Sequence, residues 1–142
     1  MGKVSIVYWS GTGNTEAMAA AMAEGAKDAG AEVELLTVDK AEAAALSEAK
    51  AFALGCPAMG AEVLEEGEME PFMAELDSQI AGKTIALFGS YGWGGGEWMR
   101  DWESRVVSDG AAVLSGEGII ADNAPDDDVL AECRAAGAKL AA

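Results

Sequence analysis

The feature of this chain that most limits its fold is an alternation between short apolar runs and stretches with helical spacing. Five runs have β-type composition, at residues 4–9, 32–38, 51–56, 84–89 and 112–118. The first, third and fourth runs are almost continuously apolar, as strands are when helices cover both faces of a sheet. Strands that alternate with helices predict an α/β fold built on a parallel sheet.

Helical spacing appears after the first run and again near the C-terminal end. In both places apolar or small residues recur every three or four positions, which places them on one face of a helix. The two sets are Met18, Met22, Gly25 and Ala29, and Val129, Cys133, Ala136 and Leu140. In the segment after the fourth run, we predict that Trp98 and Trp102 pack inward and that Asp101 and Arg105 form a surface ion pair.

Composition excludes several classes of function. The 142 residues suit a single domain, 1–142. Because 25 acidic and 9 basic side chains give a formal charge of −16, we expect no nucleic-acid partner. Histidine is absent, which excludes the Ser/His/Asp and Cys/His nucleophile arrangements. The apolar runs are too short for a membrane span or a signal peptide, so we expect no membrane partner and a cytoplasmic location.

Two cysteines, Cys56 and Cys133, lie far apart in the sequence. This spacing permits a disulfide, but nothing in the sequence indicates secretion, and two cysteines are too few for a disulfide-stapled scaffold. We interpret both as reduced thiols that pack as small hydrophobic side chains.

The loops at the carboxyl ends of the predicted strands are the expected ligand site of such a sheet. The first of them comprises Ser10, Gly11, Thr12, Gly13, Asn14 and Thr15. Its glycines permit a tight turn, and the start of the following helix offers free N–H groups and a positive dipole end. Glu16 occupies the position where a dinucleotide-binding fingerprint needs a third glycine and where a P-loop needs Gly-Lys, so the loop matches neither motif. No basic residue lies between Lys3 and Lys27. Two interpretations stay open: a phosphate cradle of neutral donors, and a polar turn that caps a helix.

Three motifs together carry a resemblance to a known family. The segments YWSGTGNTE, GCPAMGAEVLEE and ALFGSYGWGGGEWMRDWE follow one another in order, with spacing that resembles the flavodoxins, specifically the short-chain type of anaerobic bacteria. The resemblance extends from Lys3 to the last helix. It implies a doubly wound five-stranded parallel sheet, in the order 2-1-3-4-5 with helices on both faces, and one noncovalent FMN. It also implies a low-potential electron carrier, not an enzyme, whose flavin cycles between semiquinone and hydroquinone.

The resemblance implies a role for each of the three loops. Ser10, Gly11, Thr12, Gly13, Asn14 and Thr15 would hold the FMN phosphate. The second loop, next to the flavin ring, would contribute Pro57, Ala58, Met59, Gly60, Ala61 and Glu62. The third would contribute Ser90, Tyr91, Gly92, Trp93 and Gly94. Met59 and Trp93 would flank the two ring faces, Tyr91 and Gly92 would address the pyrimidine edge, and Glu62 would accept a hydrogen bond from the ring. Asn123 is expected near the ribityl chain or the ring edge.

The second loop also bears on redox control. The Gly60 carbonyl is expected to turn toward the flavin N–H that forms on one-electron reduction, since glycine tolerates positive φ. Ala61 departs from the family pattern and is expected to favour the turn of the reduced state. No basic residue lies between Lys50 and Lys83. The same segment contains the acidic residues Glu62, Glu65, Glu66, Glu68, Glu70, Glu75 and Asp77. We expect this acidic stretch to oppose formation of the anionic hydroquinone.

Two other functional classes are alternatives to a carrier. A flavodoxin-like reductase of quinones or other small acceptors is the alternative, although the chain has no recognisable pyridine-nucleotide motif. A signalling receiver domain is excluded, because it needs acidic residues where Trp9, Ser10, Cys56 and Pro57 stand. For a carrier, the acidic surface predicts transient association of a monomer with basic patches on reductases and oxidoreductases.

Overall fold

The computed structural model describes residues 3–11, 13–59, 63–92 and 94–141. The strands are β1 (Lys3–Tyr8), β2 (Glu32–Thr37), β3 (Ala51–Gly55), β4 (Thr84–Tyr91), β5 (Ala112–Val113) and β6 (Ile119–Asp122). The helices are α1 (Asn14–Asp28), α2 (Ala43–Leu46), α3 (Met69–Leu76), α4 (Glu97–Ser108) and α5 (Asp127–Ala141). Two short 3₁₀ turns occupy Val38–Lys40 and Leu114–Gly116. Within these described ranges, no helix has the length and apolar character that a membrane span requires.

The sheet is parallel and has the predicted order of positions. β2 pairs with β1, β1 with β3, and β3 with β4. The fifth position, beside β4, is shared by two short strands, β5 and β6. The family order 2-1-3-4-5 is therefore confirmed. Because the chain reverses direction across the sheet between β1 and β3, the carboxyl ends of these strands border a crevice suited to a ligand.

The bounds predicted for the fifth strand, 112–118, are wrong. Ser115 and Gly116 have φ values of 63° and 84°, and extended backbone does not accommodate them. The chain therefore leaves the sheet after Val113 and pairs with β4 again where Ile119 lies opposite Phe88. The Lys139 ammonium of α5 donates a 3.0 Å hydrogen bond to Ser115 Oγ and so holds the turn.

Hydrophobic residues are buried on both faces of the sheet. One cluster joins β3 to α3 and α4 through Phe52, Met69 and Trp98. The other joins β1 to α1 and α5 through Ile6 and Met22. Trp98 and Trp102 are each 1% exposed, which confirms their predicted packing. On the predicted helix faces, Met18, Met22, Gly25, Cys133, Ala136 and Leu140 are buried, Val129 is half-buried and Ala29 is exposed beyond the end of α1.

Two glycines let α1 and α5 cross at close range. A Cβ at Gly25 would overlap the carbonyl oxygen of Arg134, and a Cβ at Gly137 would overlap that of Met22. Each helix thus presents a glycine to the backbone of the other. This close packing fixes α1, whose first turn is the start of the candidate site.

Arg105 of α4 does not form the predicted pair with Asp101. Its guanidinium instead contacts Asp77 at 2.8 Å and Glu70 at 2.8 Å, both at the ends of α3. Burial alone would raise the pKa of Asp77, but the Arg105 hydrogen bonds and charge lower it overall. Asp109, beside Asp77, has a pKa raised to about 6, by burial first and by the Asp77 carboxyl next. The predicted i,i+4 pair is wrong because α3 offers Arg105 two carboxylates across the helix interface.

Candidate functional site

A cavity of about 240 Å³ opens at the carboxyl end of the sheet. Its lining comes from the segments that follow β1, β3, β4 and β6, and comprises Trp9, Gly11, Asn14, Pro57, Ala58, Met59, Ser90, Tyr91, Gly92 and Asn123. These residues lie far apart in the sequence and meet only because parallel strands end at one edge. The lining is mostly apolar, and its polar side chains include those of Asn14, Ser90 and Asn123.

The first loop presents hydrogen-bond donors at the start of α1. Ser10 Oγ accepts bonds from the N–H groups of Gly13, at 3.1 Å, and Glu16, at 3.3 Å. Gly13 has a φ of 96°, a left-handed conformation that glycine adopts without steric cost. The N–H groups of Asn14 and Thr15 belong to the first turn of the helix, where no intrahelical acceptor exists. The arrangement offers an anion several N–H groups and the positive end of the helix dipole.

Thr15 joins this loop to the end of β4. Its side chain is buried, and its Oγ1 accepts a 3.3 Å bond from the Ser90 N–H and lies 3.2 Å from Ser90 Oγ. The first and third predicted loops are thus connected through two hydroxyl groups. This contact fixes the first loop relative to the end of β4.

The second loop runs along β4 before it turns away. Cys56 N–H donates to the Phe88 carbonyl and Ala58 N–H to the Ser90 carbonyl, each at 3.0 Å. Met59 and Val63 then form a reciprocal backbone pair, with both N–H···O distances at 2.9 Å. This pair brackets Gly60, Ala61 and Glu62, which lie outside the described residues. The predicted roles of those three residues remain predictions.

The third loop begins two residues later than predicted, because β4 continues to Tyr91. The Tyr91 ring lies 5.5 Å from the Trp98 ring, at a 45° tilt. The Tyr91 carbonyl accepts a 2.7 Å bond from the N–H of Asn123, which has a φ of 60°. Asn123 therefore reaches the cavity from the end of β6, next to Gly92. Trp93 lies outside the part of the chain that the structure describes.

Among the residues that the structure describes, the cavity brings together most of those that sequence analysis placed there. Those in its lining are Gly11, Asn14, Pro57, Ala58, Met59, Ser90, Tyr91 and Gly92, together with Asn123. Ser10, Gly13 and Thr15 lie in the adjoining loop, while Gly94, with a φ of 78°, is not a lining residue. Thr12 lies outside the described residues. Trp9 was missed as a site residue, although an aromatic side chain at the carboxyl end of a strand was the signal for it.

The segment beyond the second loop is held by a carboxylate cap. Glu65 accepts bonds from the N–H groups of Gly67, Glu68 and Met69 at 2.7, 2.7 and 2.9 Å. Burial alone would raise the pKa of Glu65, but these three donors outweigh it and lower the value. Glu65 is thus part of the structure that begins α3, as well as part of the acidic stretch. Arg105, from α4, offsets some of the charge of that stretch through Glu70 and Asp77.

Both cysteines are buried and unpaired, as predicted. Burial raises the pKa of Cys56 and that of Cys133 to about 12 in each case, so neither is a thiolate at neutral pH. Cys56 Sγ accepts a 3.4 Å bond from the Glu65 N–H. Among the described residues, no cluster of three potential ligands could hold a metal ion. These thiols therefore contribute packing, Cys56 next to the second loop and Cys133 between α5 and the sheet, and not nucleophilic chemistry.

The fold is that of a doubly wound α/β protein, and the cavity lies at the point where the strand order reverses, which is the usual ligand position in such sheets. The model of the family described as flavodoxin matches residues 6–137. The flavodoxin of Clostridium beijerinckii is 46% identical over 138 residues, 97% of this chain and 99% of that protein. The flavodoxin of Megasphaera elsdenii is 47% identical over 135 residues, 93% of this chain and 98% of that protein.

A solved structure gives the same result. The solution structure of two-electron reduced Megasphaera elsdenii flavodoxin has a TM-score of 0.87 and 45% identity, over 96% of this chain and 98% of that one. The chain belongs to the flavodoxin family. As a member of that family it is a flavin-binding electron-transfer protein and not an enzyme.

Proposed function

We propose that this chain, as one domain over residues 1–142, binds one FMN noncovalently in the cavity and carries single electrons at low potential between redox proteins. One observation carries the proposal. A single cavity is bordered by the loop of hydrogen-bond donors at the start of α1 and by the apolar residues Pro57, Ala58 and Met59. When bound, FMN would supply the one-electron chemistry that these side chains lack. The protein would bind, orient and shield it.

The phosphate end of FMN fits the chemistry of the first loop. Its neutral donors are the Ser10 hydroxyl and the first-turn N–H groups, together with those predicted for Thr12. Ser10 Oγ already accepts hydrogen bonds from Gly13 and Glu16, as a phosphate oxygen would at this position. Neutral donors and a helix dipole therefore replace the lysine of a P-loop.

The flavin ring fits the opposite end of the cavity. Met59 offers a half-buried, polarizable thioether, and Tyr91 is held against Trp98. Glycine at position 92 leaves room for close approach of a ligand to the backbone, with Asn123 as its neighbour. The proposal retains the roles predicted for Gly60, Ala61, Glu62, Trp93 and Gly94.

The partners would be redox proteins with basic patches. A formal charge of −16 would steer them to this surface and make their association fast and sensitive to salt. The same charge disfavours self-association, so we propose a monomer. The cytoplasmic location also stays a prediction.

The test is a titration of the apoprotein with FMN and, in parallel, with riboflavin, which lacks the phosphate. We expect FMN to bind with a lower Kd than riboflavin, and Ser10→Ala to reduce that preference. Ser47→Ala is the matched control, because Ser47 is a hydroxyl residue remote from the cavity and should leave both Kd values unchanged. Equal Kd values for FMN and riboflavin would refute the phosphate assignment. Consumption of NAD(P)H by the FMN-loaded protein alone would favour the reductase alternative.

A further inference from the structure

We propose that Glu68 is a positioning residue for the flavin cavity, because its carboxylate holds the Trp9 indole in place as one wall. The inference rests on the proposed function, since the position of this wall matters to a flavin that occupies the cavity. It concerns a hydrogen bond between two loops and not the negative charge of the acidic stretch.

Trp9 is held at three points, one on its backbone and two on its side chain. Its backbone N–H donates a 3.0 Å bond to the Gly55 carbonyl at the end of β3. Its indole N–H donates a 3.1 Å bond to Glu68 Oε1. The far edge of its ring lies against Gly11, where a Cβ would come within 3.2 Å of Cη2 and 3.3 Å of Cζ3. Of these contacts, only the one to Glu68 fixes the polar end of the ring.

Glu68 is itself well anchored for an exposed residue. It directly precedes α3, its N–H donates a 2.7 Å bond to Glu65 Oε1, and its carbonyl accepts a 3.2 Å bond from Phe72 N–H. The acceptor for Trp9 is therefore attached to the capped start of a helix, whose packing limits its movement. The bond joins residues 59 positions apart and connects the loop after β1 to the segment beyond the second loop.

The affinity for FMN distinguishes the positioning role of Glu68 from an effect of its negative charge. FMN carries an anionic phosphate, so removal of a nearby negative charge should leave its affinity unchanged or increase it. Loss of a support for the cavity wall should have the opposite effect, because the indole would then have to be ordered on binding. Glu66 is the matched control, since it is an exposed glutamate two residues away.

The experiment measures the Kd of FMN for the wild-type protein and for Glu68→Ala, Glu68→Gln and Glu66→Ala. We expect Glu68→Ala to raise the Kd by about three- to tenfold, the effect of losing one hydrogen bond of ordinary net strength. Glu68→Gln keeps an oxygen acceptor and should stay within about twofold of the wild type. Glu66→Ala should not raise the Kd. In a Trp9→Phe background the indole N–H is absent, so Glu68→Ala should cause no further change in the Kd of FMN.

Three results would overturn the inference: an unchanged or lower Kd for Glu68→Ala, equal weakening in the alanine and glutamine variants, or the same weakening without the Trp9 indole. A urea midpoint for each apoprotein variant checks that folding is retained, and Glu68→Met, which keeps the side-chain length without the carboxylate acceptor, serves as the test if the alanine variant does not fold. If the wild-type protein itself binds no FMN, the proposed function fails. If the wild type binds FMN and Glu68→Ala does so equally well, only the inference about Glu68 fails.

Discussion

The substitution Gly137→Ala tests the close crossing of α1 and α5, which fixes the helix that begins the site. A Cβ at this position would overlap the Met22 carbonyl oxygen and lie 2.9 Å from both Met22 C and Ala26 N. All three are backbone atoms of α1, so no side-chain rotation can relieve the contact. The two helices would have to separate along the buried face that contains Met22 and Cys133.

Two effects of opposite sign determine the result. Alanine in place of glycine inside a helix stabilises it by about 1 kcal/mol. Overpacking of a dense interface costs about 1–3 kcal/mol, and contact with rigid backbone places this site near the upper end. We therefore expect a net loss of about 1–2 kcal/mol in the free energy of unfolding, the difference between these two effects.

Urea unfolding of the apoprotein, followed by far-UV circular dichroism, measures this difference at constant m-value. Gly95→Ala is the control, because a Cβ there has no neighbour within 4 Å and the backbone φ is not positive. That variant should be unchanged or more stable by less than about 1 kcal/mol. A Gly137→Ala protein as stable as the wild type, or more stable, would refute the close crossing.

Three further predictions follow from titratable groups. The pKa of Asp109 is raised from 3.8 to about 6, so the folded state holds this proton more tightly than the unfolded state, and the contribution of this group to stability should fall along a slope from about pH 4 to pH 6. Asp109→Asn should flatten that slope in thermal unfolding at several pH values, and an unchanged slope would contradict the assignment. Because the pKa of Cys56 and of Cys133 is raised to about 12, thiol reagents should label the native protein slowly and the denatured protein fully; rapid labelling of the native state would show that the thiols are not buried. The potential of the second reduction step should rise with ionic strength if the acidic stretch opposes it, and the absence of an upward drift would count against that cause.

Much of the fold could be predicted because strands that are buried on both faces of a sheet are nearly continuous apolar runs in the sequence. β1 and β3 end within one residue of their predicted bounds, since each is a nearly continuous apolar run that the sheet buries. The fifth strand could not be predicted in the same way. Residues 112–118 have suitable composition, but the break at Ser115 depends on pairing with β4 and on Lys139 from another helix.

The position of the cavity was predictable because it follows the ends of the strands. The ends of β1, β3 and β4 place three loops at one edge, and their residues line a common cavity. Trp9 was missed because it reads as the last residue of an apolar run, and its partner Glu68 lies 59 positions away. Arg105 was misassigned for a related reason, because helical spacing favours Asp101 whereas packing of α4 on α3 supplies Asp77 and Glu70.

The central claim is that the cavity holds FMN and makes single-electron steps possible. Stepwise reduction of the FMN-loaded protein with dithionite, followed by visible absorption, tests it most directly. We predict a one-electron-reduced species with a long-wavelength absorption band, which rises and then decays as reduction proceeds. Direct conversion of the oxidised to the fully reduced spectrum with no such band, or a protein that takes up no FMN, would contradict the account.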